Sequence, residues 1–98
     1  MIATFVTFRH GDDFDEQAVW AIADAARPKF EGMPGLRSKL FTVDAGTREA
    51  TNVYLWDSEE AARAFFTGER LEVVARLYRT RPSVDFVQVA ALVDSIRS

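Results

Sequence analysis

The sequence contains no cysteine, only three prolines and a single histidine. Without cysteine, disulfides and cysteine-based metal or redox sites are excluded. No apolar run approaches the roughly 18 residues that a membrane-spanning helix needs. The apolar N-terminus reaches Arg9 and His10 too early to be a signal peptide, so the sequence predicts a soluble, cytoplasmic protein with no membrane partner.

Strong charge of one sign is also lacking, since the formal net charge of the 98 residues is -3. Such a balance supplies no basic field for a phosphate backbone, which argues against a nucleic-acid partner. The chain is 48% apolar and 28% charged, the composition of an ordinary globular protein. Its length accommodates one hydrophobic core, so we expect a single domain over residues 1–98.

Hydrophobic periodicity and turn residues divide the chain into seven elements. The predicted order is β-α-β-β-α-α-β, which is typical of the ferredoxin-like split βαβ fold. The fold class is therefore α+β, with a four-stranded antiparallel sheet and helices on one of its faces. The predicted elements are a strand at Ile2–Arg9, a helix capped by Asp13 that ends near Pro28, strands at Leu36–Asp44 and Glu49–Trp56, a helix capped by Asp57, a short helix over 71–78 and a strand over 84–93.

The last predicted strand is apolar on both of its faces. Val84, Phe86, Ala90 and Leu92 alternate with Val87, Val89, Ala91 and Val93. A strand that is apolar on both sides is usually buried on both sides, whereas the helices cover only one face of the sheet. We therefore expect a homodimer in which two sheets stack to form a dimeric α/β barrel. The alternative is that the C-terminal residues fold over their own sheet.

A second pattern concerns the strand that runs into the sequence Asp57-Ser58-Glu59-Glu60. Asn52, Tyr54 and Trp56 alternate along it and share one face, with the outer two about 13 Å apart. Each of the three combines a polar group with bulk, so this face suits a planar, partly polar ligand. The three residues are also compatible with the more solvated face of the sheet, with Trp56 anchoring the end of the strand. The alternation does not tell which face of the sheet meets the helices.

Several short motifs resemble those of a known superfamily. They are the turn Met33-Pro34-Gly35-Leu36, the segment from Asn52 through Trp56 to Ala61, and the pair Phe65-Phe66. Together they resemble the antibiotic-biosynthesis mono-oxygenase superfamily, and within it the YdhR-like proteins. The resemblance implies a ferredoxin-like dimer and, for some members, oxidation of anthrones to quinones by O₂ without a cofactor. It therefore implies a small aromatic molecule as the ligand.

The same resemblance implies roles for three residues. Asn52 and Trp56 match the superfamily's catalytic pair in type and spacing. Tyr54 lies between them on the same face of the strand, so we expect it to contact the substrate. Arg76 is the positional match for a basic catalytic residue on the following helical segment. Helical geometry places Arg76 off the apolar stripe that holds Val74, so a solvated side chain remains an alternative. The haem-degrading relatives use a histidine on the helix after the tryptophan, and this sequence has none there, which argues against haem degradation.

Other chemistry has little support in the sequence. His10 with Asp12 and Asp13 could be interpreted as a metal or acid–base cluster, but a turn and helix start explain these residues more simply. Neither a phosphate-binding glycine loop nor metal-ligand spacing is present, so we expect no metal and no bound cofactor.

The leading hypothesis is a cofactor-independent mono-oxygenase acting on an aromatic, phenolic substrate. The alternatives are a non-catalytic module that binds a small hydrophobic ligand, and an isomerase or decarboxylase of a small cyclic acid.

Overall fold

The computed structural model describes residues 1–96 and has the predicted order of elements. A short 3-10 turn, Gly11–Asp13, follows the first strand. The elements are β1 (Ile2–Arg9), α1 (Glu16–Phe30), β2 (Leu36–Asp44), β3 (Glu49–Trp56), α2 (Glu59–Phe65), α3 (Gly68–Tyr78) and β4 (Ser83–Gln88).

The four strands form one sheet in the order β2-β3-β1-β4, and every neighbouring pair is antiparallel. β3 and β1 are therefore the central strands, and Asn52 of β3 lies between Val6 of β1 and Phe41 of β2. This arrangement confirms the predicted α+β, ferredoxin-like fold class.

One face of the sheet is buried beneath the helices. In β1 and β3 every even-numbered residue is buried, while most of the odd-numbered ones are only half-buried. Alternating residues point to opposite faces, so these even-numbered side chains form the floor of the helix-covered core. They are Ile2, Thr4, Val6 and Phe8 of β1 and Ala50, Asn52, Tyr54 and Trp56 of β3. The structure thus places Asn52, Tyr54 and Trp56 on the helix side, which the alternation alone left open.

The first helix begins and ends later than predicted. Its cap is Asp15 and not Asp13, because Asp15 has extended backbone geometry and its carboxylate accepts a hydrogen bond from the Ala18 N–H. Asp13 instead belongs to the 3-10 turn. The helix also continues past Pro28 to Phe30. Pro28 has no N–H to donate to the Asp24 carbonyl, so it weakens the last turn, and the helix ends two residues later.

The cap of α2 is Ser58 rather than the predicted Asp57. The Ser58 hydroxyl accepts a hydrogen bond from the Ala61 N–H, as an N-cap does. Asp57 lies one residue earlier, where its own N–H donates to the Gly35 carbonyl at 2.9 Å. That bond ties the end of β3 to the turn before β2.

The last strand is shorter than predicted, because β4 ends at Gln88 and not at Val93. Gln88 pairs with Ile2, the first residue of β1, and the Val89 N–H makes one further bond to the Met1 carbonyl. Beyond that point β1 offers no neighbouring backbone in the sheet. Residues 89–96 therefore have no strand to pair with, whatever their apolar pattern.

Within residues 1–96, no helix is both long enough and apolar enough to cross a membrane. The expected cytoplasmic location stays a prediction.

The turn before β2 provides a test of close packing. Gly35 has a φ of +83°, and a Cβ added there would lie 2.9 Å from the Ala61 Cβ. We expect Gly35→Ala to lower the free energy of unfolding by roughly 2 to 4 kcal/mol, since left-handed strain adds to overpacking. Urea unfolding would measure it.

Gly32→Ala is the matched control, because Gly32 has a φ of +71° but open space around an added Cβ. Backbone strain alone should cost it roughly 1 to 2 kcal/mol. Equal losses in the two variants would show that the contact with Ala61 is not tight.

Candidate functional site

A cavity of about 490 Å³ lies between α1, α3 and the helix side of the sheet. Apolar side chains from both helices form much of its wall, among them Ile22, Phe30 and Val74. Eight polar side chains also line it: Lys29, Lys39, Asn52, Tyr54, Thr67, Glu69, Arg70 and Tyr78. An apolar cavity with a few converging polar groups is the usual form of a small-molecule site.

The strands determine which polar groups reach the cavity. Asn52 and Tyr54 are successive helix-side residues of the central strand β3. In β2 an irregularity in the register occurs between Leu36 and Ser38, after which Lys39 pairs with Tyr54 and Phe41 with Asn52. Residues paired across two strands share a face, so the register brings the Lys39 amine onto the helix side beside the Tyr54 ring.

Asn52 is held in place by α3. Its Nδ2 donates a hydrogen bond to the Tyr78 hydroxyl at 3.2 Å, and both residues are buried. The Tyr78 ring in turn stacks on Phe8 of β1, with centroids 3.8 Å apart. The carboxamide keeps its second N–H and its carbonyl oxygen, so Asn52 retains hydrogen-bonding capacity for a ligand.

Tyr54 lies in a cluster of aromatic rings. Its ring is parallel to that of Trp56 at 5.6 Å and meets Phe66 edge-on at 5.0 Å. Burial, followed by the neighbouring Tyr78 phenol, raises the pKa of Tyr54 well above its ordinary value. Burial likewise raises the pKa of Tyr78. Both phenols are therefore neutral near pH 7 and can donate hydrogen bonds.

Trp56 lies one layer behind the cavity wall. It is only 1% exposed, packs between Tyr54 and Phe65, and is not among the residues that line the cavity. Its Nε1–H has no hydrogen-bond partner within residues 1–96. The structure therefore brings Asn52 and Tyr54 to the cavity and places Trp56 behind Tyr54, where it supports that ring.

Arg76 is exposed on α3 and does not line the cavity. The arginine that lines it is Arg70, one and a half turns earlier on the same helix. Thr67 caps α3 by accepting a hydrogen bond from the Arg70 N–H, and the Arg70 guanidinium lies 4.2 Å from the Phe65 ring centre. The resemblance does not specify which turn of the helix faces the sheet, and the role of Arg76 stays a prediction.

Sequence reasoning missed Lys39 and Tyr78 as residues of the site. Lys39, Phe41 and Val43 are alternate residues of β2 and therefore share one face of the strand. A lysine on an otherwise apolar face was the sequence pattern that could have indicated its place in the site. Tyr78 was placed on the apolar stripe of its helix, but nothing in the sequence pairs its hydroxyl with Asn52.

A second hollow of about 430 Å³ lies between α1 and β2. It shares four lining residues with the first cavity, namely Lys39, Phe41, Asn52 and Tyr78. The two spaces therefore adjoin at these side chains, and a ligand larger than one ring could extend from one space into the other.

The turn after β1 does not gather metal ligands. The His10 ring forms a hydrogen bond of 2.9 Å to the Tyr78 carbonyl, and Asp12 pairs with Arg48 at 2.8 Å. Among the residues that the structure describes, no group of three His, Cys, Asp or Glu side chains could hold a metal ion.

Solved structures with this fold are oxygenases in several cases. The monooxygenase from the ActVA-Orf6 gene of Streptomyces coelicolor, in complex with nanaomycin D, is 21% identical with a TM-score of 0.68 over 96% of this chain and 92% of that one. A "putative antibiotic biosynthesis monooxygenase" from Deinococcus radiodurans is 13% identical, with a TM-score of 0.65 over 99% and 100%. A haem-degrading enzyme from Listeria monocytogenes is 16% identical, with a TM-score of 0.66 over 87% and 59%.

These likenesses show the ferredoxin-like fold. Residues 4–89 match the family described as "Putative mono-oxygenase ydhR", and the chain belongs to that family. Among curated proteins, no sequence matches this chain significantly. The family membership predicted from the short motifs is thereby confirmed.

The bond between Asn52 and Tyr78 can be tested by substitution. Tyr78→Phe keeps the ring on Phe8 but leaves the buried Asn52 amide without its partner. We expect the free energy of unfolding to fall by about 1 to 3 kcal/mol in urea titrations.

The double variant Asn52→Leu with Tyr78→Phe removes both polar partners and should recover much of that loss. Additive losses in the double variant would contradict a direct interaction between the two side chains.

Proposed function

We propose that this chain is a cofactor-independent mono-oxygenase that oxidises a small phenolic, anthrone-like molecule with O₂. The reaction takes place in the cavity of about 490 Å³ that Asn52, Tyr54 and Arg70 line. The observation that carries the proposal is the buried Asn52 carboxamide, which is fixed by Tyr78 and still has a free N–H beside an aromatic wall.

The chemistry requires that the ligand supply the electrons for O₂. An anthrone does so through its enolate: the activated CH₂ becomes a carbonyl, one oxygen atom enters the product and the other leaves as water. Asn52 donates a hydrogen bond to the enolate oxygen, and Arg70, which also lines the cavity, supplies positive charge. Aromatic and aliphatic side chains that line the cavity, Phe30 and Tyr54 among them, make its wall largely apolar, which strengthens each of these bonds.

The structural neighbours add support of a different kind. The Streptomyces coelicolor monooxygenase binds nanaomycin D. A cavity whose lining includes several aromatic side chains suits a flat polycyclic molecule of that size class, which favours an aromatic ligand here.

Two other functions remain as competing proposals. A binding module of the same fold would hold the aromatic ligand without consuming O₂. An isomerase or decarboxylase of a small cyclic acid would need a proton acceptor beside the ligand, and the Lys39 amine in the cavity is the group that favours it.

Oxygen consumption tests the proposal. Purified protein treated with a chelator should consume O₂ with anthrone above the spontaneous rate, and Asn52→Ala should reduce that excess about 100-fold, since it removes an oxyanion donor. Fluorescence changes on ligand addition without O₂ uptake would instead indicate the binding module.

A matched pair of arginine variants tests which cation belongs to the site. Arg70→Ala should weaken turnover, because Arg70 lines the cavity, whereas Arg76→Ala should have little effect, because Arg76 is exposed outside it. The reverse order would restore the role that the resemblance implied for Arg76.

We also propose that two copies pair through the open face of the sheet. By register, Leu40, Val53 and Phe5 form one row across this face, and Leu55 lies beside them on β3. Leu40 on the edge strand β2 is 62% exposed and Phe5 on the central strand β1 is 37% exposed, so large apolar side chains are left uncovered on this face. Stacking the same face of a second copy covers them and gives the dimeric α/β barrel.

Light scattering after size exclusion tests this pairing. The protein should have twice the mass of one chain, and Phe5→Glu should reduce it to a monomer, because two carboxylates would be buried against each other. Ala25→Glu on the exposed side of α1 is the control and should stay dimeric. A monomeric wild-type protein, or a dimeric Phe5→Glu variant, would rule out this interface.

A further inference from the structure

Lys39 has an unusual position for a lysine. Its Nζ lies 3.4 Å from the ring centre of Phe30, 4.1 Å from that of Phe41 and 4.3 Å from that of Tyr54. It also lines both the main cavity and the adjoining hollow beside α1. The amine is thus enclosed by three aromatic rings at the point where the two spaces meet.

No acidic partner accounts for this enclosed amine. The ion pairs found within residues 1–96 all involve arginines, and none includes Lys39. A buried amine without a carboxylate is unfavourable as an ammonium, so a purely structural role would be served better by an apolar residue. The arrangement is one that enzymes use when an amine must accept and release a proton.

We propose that Lys39 is the proton acceptor of the cavity: its neutral amine takes the proton of an acidic O–H or C–H on an aromatic ligand, and the ammonium then holds the oxyanion that results. The proposal rests on the proposed function, since it names how the ligand's enolate is formed there. It goes beyond the resemblance, which implied only Asn52, Trp56 and Arg76, and beyond Tyr54, which the strand alternation added.

The proton transfer balances without any oxidant. The bond between the ligand and its acidic hydrogen breaks, the hydrogen's nucleus joins the Nζ lone pair, and the bonding electrons remain on the ligand as an enolate or phenolate. The resulting ammonium lies against the Phe30, Phe41 and Tyr54 rings, whose faces attract a cation. The site therefore accommodates both the neutral amine and the ammonium, as a general base that acts in every catalytic cycle requires.

The charges around Lys39 come from every element packed against it. Lys39 also lines a third, smaller hollow between the end of α1 and the start of β2. Four cations border these three spaces: Arg27 and Lys29 on α1, Arg37 on β2 and Arg70 on α3. Three acids also border them: Asp24 on α1, Glu31 directly after α1 and Glu69 on α3. The phenols of Tyr54 and Tyr78 are the remaining titratable groups.

These surroundings make the neutral amine accessible near neutral pH. Burial, followed by repulsion from Lys29, lowers the pKa of Lys39 to about 7. A base is most effective when its pKa is close to the working pH, because it is then largely unprotonated yet still basic. Glu31 does not counter this effect strongly, since it faces Arg27 at 3.8 Å.

Hydrogen–deuterium exchange isolates the proton transfer from oxidation. Anthrone is incubated with the protein in D₂O buffer under strict exclusion of O₂, and the loss of its CH₂ signal is followed by proton NMR. Wild-type protein should accelerate the exchange, and Lys39→Met should lose about 100-fold of that acceleration. Equal acceleration in Lys39→Met, or none in the wild type, would overturn the proposal.

Two further variants separate basicity from charge and shape. Lys39→Arg keeps the positive charge but has no accessible neutral form, so it should bind the anion yet fail to accelerate exchange. Lys29→Met removes the neighbouring like charge, so exchange should persist and its pH midpoint should move above the wild-type value of about 7. An unchanged pH profile in Lys29→Met would contradict the assignment of that midpoint to Lys39.

A measurement without ligand completes the test. The sequence has only two lysines, Lys29 and Lys39, so protein labelled with carbon-13 at lysine Cε gives two side-chain signals, which Lys29→Arg assigns. The Lys39 signal should titrate near pH 7, and an ordinary titration near pH 10 would overturn the proposal by itself. A Lys39 signal that titrates near pH 7, together with Lys39-dependent exchange but no O₂ uptake, would support the base while rejecting the mono-oxygenase.

Discussion

Burial of the even-numbered residues of β1 and β3 beneath three helices is the constraint on which the site depends. These residues include polar side chains that cannot reach water, where a hydrogen-bond partner from a neighbouring element is stabilising. Asn52 has such a partner in the Tyr78 hydroxyl, whereas Thr4 Oγ1 and Trp56 Nε1 have none within residues 1–96. Aromatic rings enclose Tyr54. The same packing that completes the core therefore also orients the groups that face the cavity.

Much of the fold could be predicted because its signals are local. The bounds of β1, β2 and β3 follow from turn residues on either side of β-branched and aromatic runs. The predicted helix caps differ from the observed ones by one or two residues. Asp13 and Asp15 are both suitable cap residues by type, as are Asp57 and Ser58, and only the backbone geometry selects Asp15 and Ser58. β4 ends where its partner strand β1 begins. The apolar pattern of β4 carries no information about that position.

The site was predicted only where its members share one strand. Alternation relates Asn52 to Tyr54 directly, and the short motifs supplied the family. Lys39 and Tyr78 join them through strand register and helix packing, which link residues far apart in the chain. Arg70 and Arg76 differ by less than two helical turns, and only the orientation of α3 against the sheet separates them.

The two tryptophans experience opposite surroundings. Trp20 is 57% exposed on α1, whereas Trp56 is 1% exposed and parallel to the Tyr54 ring that forms part of the cavity wall. Their emission should differ in wavelength, with the indole of Trp56 in an apolar medium and that of Trp20 in contact with water. The molecule thus carries one built-in optical probe directly behind its main cavity and a second, solvent-exposed one beside the adjoining hollow.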